Sequence, residues 1–218
     1  MAVAADVRPI TLVEATPVAD PAPLGLAGFA LTTFLLSGHN ATFIPDLIWV
    51  GPALFYGGAA QLLAGMWEFR NRNVFGATAF STYGAFWLSL GIFVTFLVLS
   101  KNWSGALSAG PHDLTNALGW FVLAFAIFNL YMLLWSTRVS VAVFTVFLTL
   151  QITEILLVIG YFEQSHGHAN NGWTHWGGWI GILTAAAAWY TSAAGVVNGM
   201  AAPKRIVPVG KPLWGGQG

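Results

Sequence analysis

The chain alternates long apolar runs with short polar breaks at a nearly regular interval. Between successive ionisable residues lie 25 uncharged residues from Asp20 to Asp46, 21 from Asp46 to Glu68, 28 from Arg72 to Lys101 and 24 from Asp113 to Arg138. Arg138 to Glu163 encloses 24 more, interrupted only by Glu154, and Glu163 to Lys204 encloses 40, of which the His-rich start reads as a loop. A hydrocarbon core of roughly 30 Å is crossed by about 20 apolar residues in a helix, so each run is one crossing. The pattern predicts six helices, at 22–42, 48–69, 76–99, 116–136, 139–162 and 175–199. The expected fold class is all-α, a multi-pass membrane protein whose six transmembrane helices occupy 21–201.

Lys and Arg near helix ends stay on the cytoplasmic side. With the amino terminus inside, Arg8, Arg70, Arg72, Arg138, Lys204, Arg205 and Lys211 fall on inner segments and only Lys101 on an outer one, which predicts that both termini are cytoplasmic. Residues 1–20 have no apolar core of a signal peptide and read as a disordered cytoplasmic tail. Residues 202–218, rich in Pro and Gly, read as a second such tail. In this topology His39, His112, His166, His168 and His175 all lie outside. They make a wettable surface or, with an ordinary imidazole pKa near 6.5, a sensor of external acidity. His166, His168 and His175 lack a helical ligand spacing, so no metal site is expected.

Composition sharpens the picture. Of 218 residues 56% are hydrophobic and 7% charged, against roughly 25% charged in soluble domains, and the mean hydropathy is +0.69. Eight basic and eight acidic residues leave no positive field for nucleic acid. The absence of cysteine removes disulfide frameworks, thiolate metal sites and cysteine nucleophiles. No phosphate loop, HExxH or GxSxG is present, so neither an enzyme nor a cofactor site is expected. The cell membrane, bacterial inner or plasma, is the expected location, with lipid as a partner.

Helix faces then point to candidate residues. Ala53, Gly57, Gln61 and Gly65 recur every four residues, as do Gly177, Gly181 and Ala185, in the small-residue spacing that lets helices approach closely in lipid. Gln61 puts an amide on that face and must find a partner in the bundle or in a wet pore. Phe29, Thr33, Leu36 and Asn40 share one side of the first helix, which suits a narrow, mostly apolar pathway. Tyr83 with Trp87 on the third helix, and Leu150, Glu154 and Leu157 on the fifth, form matching stripes. Glu154 is the carboxylate well inside a span, serving either a structural hydrogen bond or transport.

At the start of the first helix stand Asp20-Pro21-Ala22-Pro23-Leu24-Gly25-Leu26, then Gly28-Phe29, Thr32-Thr33 and His39-Asn40. Further on come Phe55-Tyr56-Gly57-Gly58-Ala59-Ala60-Gln61, Ala64-Gly65, Glu68, Phe75-Gly76 and the run from Ala79 to Leu88. Gly178-Trp179-Ile180-Gly181, Asn198 and Pro208-Val209-Gly210 follow near the end. This pattern resembles the acetate uptake transporter family, the succinate-acetate permeases, whose opening motif is N-P-A-P-L-G-L. Asp20 stands where that motif has Asn, a change that keeps a helix-capping acceptor while adding charge. The resemblance implies a six-helix protomer, a homo-hexameric ring, and in each protomer a pathway for acetate and related small carboxylates, succinate among them, with protons as a candidate coupled ion. It also implies a hydrophobic constriction at Phe29, Tyr83 and Leu150; Thr33, Asn40, Gln61 and Glu154, polar candidates for the pathway, rest on the helix faces alone, and Glu154 belongs to no motif of that family. A passive channel for a small neutral solute such as urea or an amide is the alternative, and a flux-free sensor or scaffold a third reading.

Overall fold

The computed structural model describes residues 18–100, 113–168, 172–200 and 206–214, and every regular element among them is helical. Helix α1 is Ala22–Asn40. Helix α2 runs over 50–70 in three continuous pieces: α-helical Val50–Leu54, a π-helical stretch Phe55–Ala60, and α-helical Gln61–Arg70. Then come α3 Val74–Leu99, α4 Leu114–Ser136, α5 Val141–Ser165 and α6 Trp173–Met200. All five helices other than α2 are long and apolar enough to cross a membrane. The bounds lie within three residues of those the charge intervals predict.

Side-chain caps set several starts, because the first backbone N–H groups of a helix have no intrahelical partner. Asn73 accepts from Gly76 N–H, Asp113 from Asn116 N–H and Ser140 from Val143 N–H. The Asn116 N–H, with the Thr115 hydroxyl, holds the Asp113 carboxyl below the usual carboxylate range.

The π-helical stretch explains why α2 carries a strict four-residue repeat. In an ideal α-helix, residues four apart drift around the axis, since a turn holds 3.6 residues. The wider turns of 55–60 absorb that drift, so Ala53, Gly57, Gln61 and Gly65 all stay buried. Close approach follows on the α1 side. A Cβ on Gly28 would sit 2.6 Å from the Tyr56 carbonyl oxygen, so only glycine lets α1 and α2 meet there.

The helices form a closed ring in which α1 packs on α2 and α6, α6 on α5, α5 on α4, and α2 on α3. Gly177, Gly181 and Ala185 of α6 are buried, Gly177 facing Leu157 of α5 and Gly181 facing Ser37 of α1. The α3–α4 joint is the loosest and is filled by long side chains instead of close backbones. Phe86 stacks on Phe121 and meets Phe125 edge-on, and Phe128 meets Tyr83 edge-on. Outside the ring, Trp67 and Trp135 near one end and Trp173, Trp176 and Trp179 near the other are exposed, the two aromatic belts of a membrane-spanning bundle.

Residues 206–214 correct the expectation of a loose carboxy-terminal tail. The Asn198 side chain accepts from the Ile206 and Val207 N–H groups and donates to the Val207 carbonyl. The Tyr190 hydroxyl donates to the Pro208 carbonyl, Ala142 N–H to the Val209 carbonyl, and Leu213 N–H to the Thr137 carbonyl. Trp214 stacks on Trp135, with the Arg138 guanidinium 5.9 Å from its ring. Gly210 turns this strap at φ +74°, where a side chain would meet Val141. Residues 1–17, 201–205 and 215–218 of the expected tails lie outside the described residues.

Candidate functional site

The axis of the ring holds two stacked cavities, of about 90 and about 60 Å³. Leu26, Ala79, Phe80, Phe147 and Gln61 help line the larger one, on the side of Asp20 and the strap. Thr33, Leu36, Asn40, Trp87 and Glu154 help line the smaller one, toward His39. Phe29, Tyr83 and Leu150 belong to both linings and partition them. All three are nearly fully buried, and the Phe29 and Tyr83 rings meet edge-on with centroids 5.5 Å apart.

The stripes predicted on α1, α3 and α5 converge here, because helical periodicity turns each toward the axis. Phe29, Thr33, Leu36, Asn40, Tyr83, Trp87, Leu150, Glu154 and Leu157 all line the smaller cavity, and Gln61 lines the larger. Of the family motif, Ala22 and Leu26 line the larger cavity and Asp20 and Pro23 a wider chamber next to it. Pro21 is the N-cap of α1, Gly25 packs under Phe80, and Leu24 is exposed.

Polar atoms along this axis are conspicuously unpaired. Thr33 Oγ1, Trp87 Nε1 and Glu154 Oε2 around the smaller cavity, and Gln61 Oε1 beside the larger, are buried without a protein partner. Each such atom costs about 1–3 kcal/mol if nothing solvates it. A cavity of about 10–15 Å³ already holds one water, so both chambers have room for water or a solute of a few heavy atoms. The set offers donors and acceptors but no cation.

Asn129 is the residue that the sequence did not point to. Fully buried on α4, it accepts from the Tyr83 hydroxyl at 2.8 Å and donates to the Phe147 carbonyl and Gln151 Oε1 at 3.0 Å each. It thus fixes the Tyr83 ring and bridges the loose α3–α4 joint. The available signal was its isolation as an amide among the apolar residues 117–135.

At the far end His39 Nε2 lies 3.5 Å from Asp46 Oδ1, which also accepts from Leu47 N–H and the Trp49 indole. His168 pairs with Glu163 at 2.9 Å, and the Trp179 indole donates to His175. His166 contacts the Phe162 carbonyl, while His112 lies outside the described residues. Among the described residues no three His, Asp or Glu side chains gather as a metal site.

The chain is similar to the ammonia transport outward protein 2 of Saccharomyces cerevisiae, 41% identical over 187 residues, 83% of this chain and 62% of that one. It is also similar to the succinate-acetate/proton symporter SatP of Escherichia coli, 36% identical over 199 residues, 90% of this chain and 97% of that one. The chain thus spans about three fifths of the length of the yeast relatives it matches and nearly all of the bacterial one. Among solved structures it superposes on the bacterial acetate channel SatP with a TM-score of 0.78 and 33% identity, covering 89% of this chain and 100% of that one. The signature of the GPR1/FUN34/yaaH family matches residues 4–209, and this multi-pass membrane protein belongs to that family.

Proposed function

We propose that the protein passes acetate and related small carboxylates, succinate among them, along the axis of each protomer, with protons as the coupled ion and without catalysis. One observation carries this reading: two small chambers, edged with unpaired polar atoms, meet at an apolar partition of Phe29, Tyr83 and Leu150. A carboxylate entering a chamber exchanges water for the Thr33 hydroxyl, the Trp87 indole N–H and the Gln61 amide. At the partition only apolar and aromatic surface remains, and an uncompensated charge there is costly. Proton uptake by the solute removes that cost, and Glu154, beside the partition, is placed to exchange the proton. The names of the bacterial relative and of the solved channel support the substrate class.

Arg70, Arg72, Arg138 and Lys211 gather at the strap end, which supports placing that end and both termini in the cytoplasm. The exposed apolar flanks suit contact with lipid, and a ring of six protomers is proposed from the family resemblance alone.

The name of the yeast relative, and the lack of a cation among the described residues that line the two chambers, favour a second reading, passage of a small neutral solute. Proteoliposomes loaded with a pH indicator and offered labelled acetate or labelled urea separate the two. We expect acetate uptake above that of empty vesicles, faster when the outside is acid, and no urea uptake. Urea flux without acetate flux would support the second reading, and silence with both would leave the sensor or scaffold reading.

A further inference from the structure

Beyond the larger cavity lies a wider chamber of about 600 Å³ that shares Ala22, Leu26, Val139 and Val143 with it. This vestibule is the mouth of the axis at the strap end. One wall is α1 with its cap, another the end of α6, and the third is the strap itself, through Val209, Gly210 and Lys211. The carboxy-terminal segment is therefore part of the pathway wall.

Among the described residues two charged ones line the vestibule, Asp20 of the α1 cap and Lys211 of the strap. Asp20 Oδ1 accepts from Ala22 N–H, which fixes its carboxylate at the rim. Its charge is also the one departure of this chain from the N-P-A-P-L-G-L motif. An uncompensated carboxylate at the mouth would repel an anionic solute. The hydrogen bonds from Asn198, Tyr190, Ala142 and Leu213 hold the strap so that Lys211 faces the same chamber. The neighbouring Arg138 is held at Trp214 instead.

We infer that Lys211, carried by the docked strap, is an anion-recruiting residue of the mouth that offsets the Asp20 carboxylate and so lets a small carboxylate enter. This rests on the transport reading for the identity of the solute, but not for its test. The charge balance is a property of the vestibule alone. Salt should weaken it, since screening at 1 M acts over about 3 Å and at 0.01 M over about 30 Å.

The chain has no cysteine, so one introduced thiol reports on the vestibule without background. Gly199 lines the chamber with nothing within 4 Å of an added Cβ. In detergent-solubilised Gly199→Cys protein, the rates of modification by a sulfonate-bearing and a trimethylammonium-bearing thiosulfonate are compared. Adding Lys211→Gln should lower the anionic-to-cationic ratio several-fold at low salt, since removing one positive charge slows the anionic reagent and speeds the cationic one. Asp20→Asn should raise the ratio by a similar factor, the double variant should return it to the starting value, and 1 M salt should erase all of these differences. Lys211→Arg should leave the ratio unchanged, which separates charge from a role in merely seating the strap.

A ratio insensitive to Lys211→Gln, a Lys211→Arg protein that behaves like Lys211→Gln, or a thiol that reacts with neither reagent would each overturn the inference. A charge-sensitive ratio in a protein without acetate flux would overturn the transport reading and leave this one standing.

Discussion

Tyr83 and Asn129 decide the shape of the partition between the chambers. Asn129 spends its amide on the Tyr83 hydroxyl, the Phe147 carbonyl and Gln151, tying α3, α4 and α5 together at the level of the partition. Asn129→Leu keeps the volume and leaves the Tyr83 hydroxyl and the Gln151 amide oxygen without this partner, at about 1–3 kcal/mol for each group left unsatisfied. We expect a lower melting temperature in detergent and slower acetate flux, whereas Tyr83→Phe, which frees only one bond, should melt closer to wild type. Glu154 is tested differently, since its Oε2 has no protein partner and little structure depends on it. Glu154→Gln should preserve folding and flatten the acceleration of flux by external acid, while His39→Gln should leave that acceleration in place. A pH profile identical in wild type and Glu154→Gln would assign the dependence to the solute, whose neutral fraction rises as pH falls. Much at this scale was legible beforehand: Phe29, Thr33, Leu36 and Asn40 share a face at helical spacing, and that face does turn to the axis. Asn129 was not, because its importance lies in partners 46, 18 and 22 residues away that only the assembled bundle brings within reach.

Helices here are positioned by what they lack as much as by what they carry. Gly28 lets the Tyr56 carbonyl approach α1, and the π-helical turns of α2 keep Gly57 and Gln61 on the same buried line. Gly28→Val places side-chain atoms where the 2.6 Å gap to that carbonyl leaves none, so α1 and α2 must separate. We expect poor expression or a marked loss of thermal stability, with Gly199→Ala, whose Cβ meets nothing within 4 Å, as the unaffected control. The start of α4 gives a titration test. Asp113 is held ionised by the Asn116 N–H, so its folded pKa is depressed and its contribution is present at neutral pH. That contribution is lost as pH falls through the folded value, and Asp113→Asn, which keeps a capping acceptor, should flatten the acid side of the stability profile. The sequence announced the elements through their charge intervals, because lipid forbids charges and so punctuates the spans. It did not announce the strap. Composition rich in Pro and Gly is shared by disordered tails and by segments that dock through backbone hydrogen bonds, as 206–214 does with Asn198, Ala142 and Thr137.

At the scale of the whole molecule, the ring of six helices surrounds a series of cavities that widens from partition to chamber to vestibule at the strap end. The proposed crossing point for a small carboxylate is where Phe29, Tyr83 and Leu150 meet. Leu150 is the side chain of the three that can be shortened without touching the Tyr83–Asn129 hydrogen bond or the Phe29–Tyr83 ring contact. The most direct measurement is the simultaneous uptake of differently labelled acetate and lactate by proteoliposomes of wild type and Leu150→Ala. We expect wild type to take up acetate well above empty vesicles and to discriminate against lactate, and Leu150→Ala to retain acetate uptake while the lactate-to-acetate ratio rises several-fold. No acetate uptake by wild type, or a ratio unchanged in a variant that expresses and melts normally, would contradict the account.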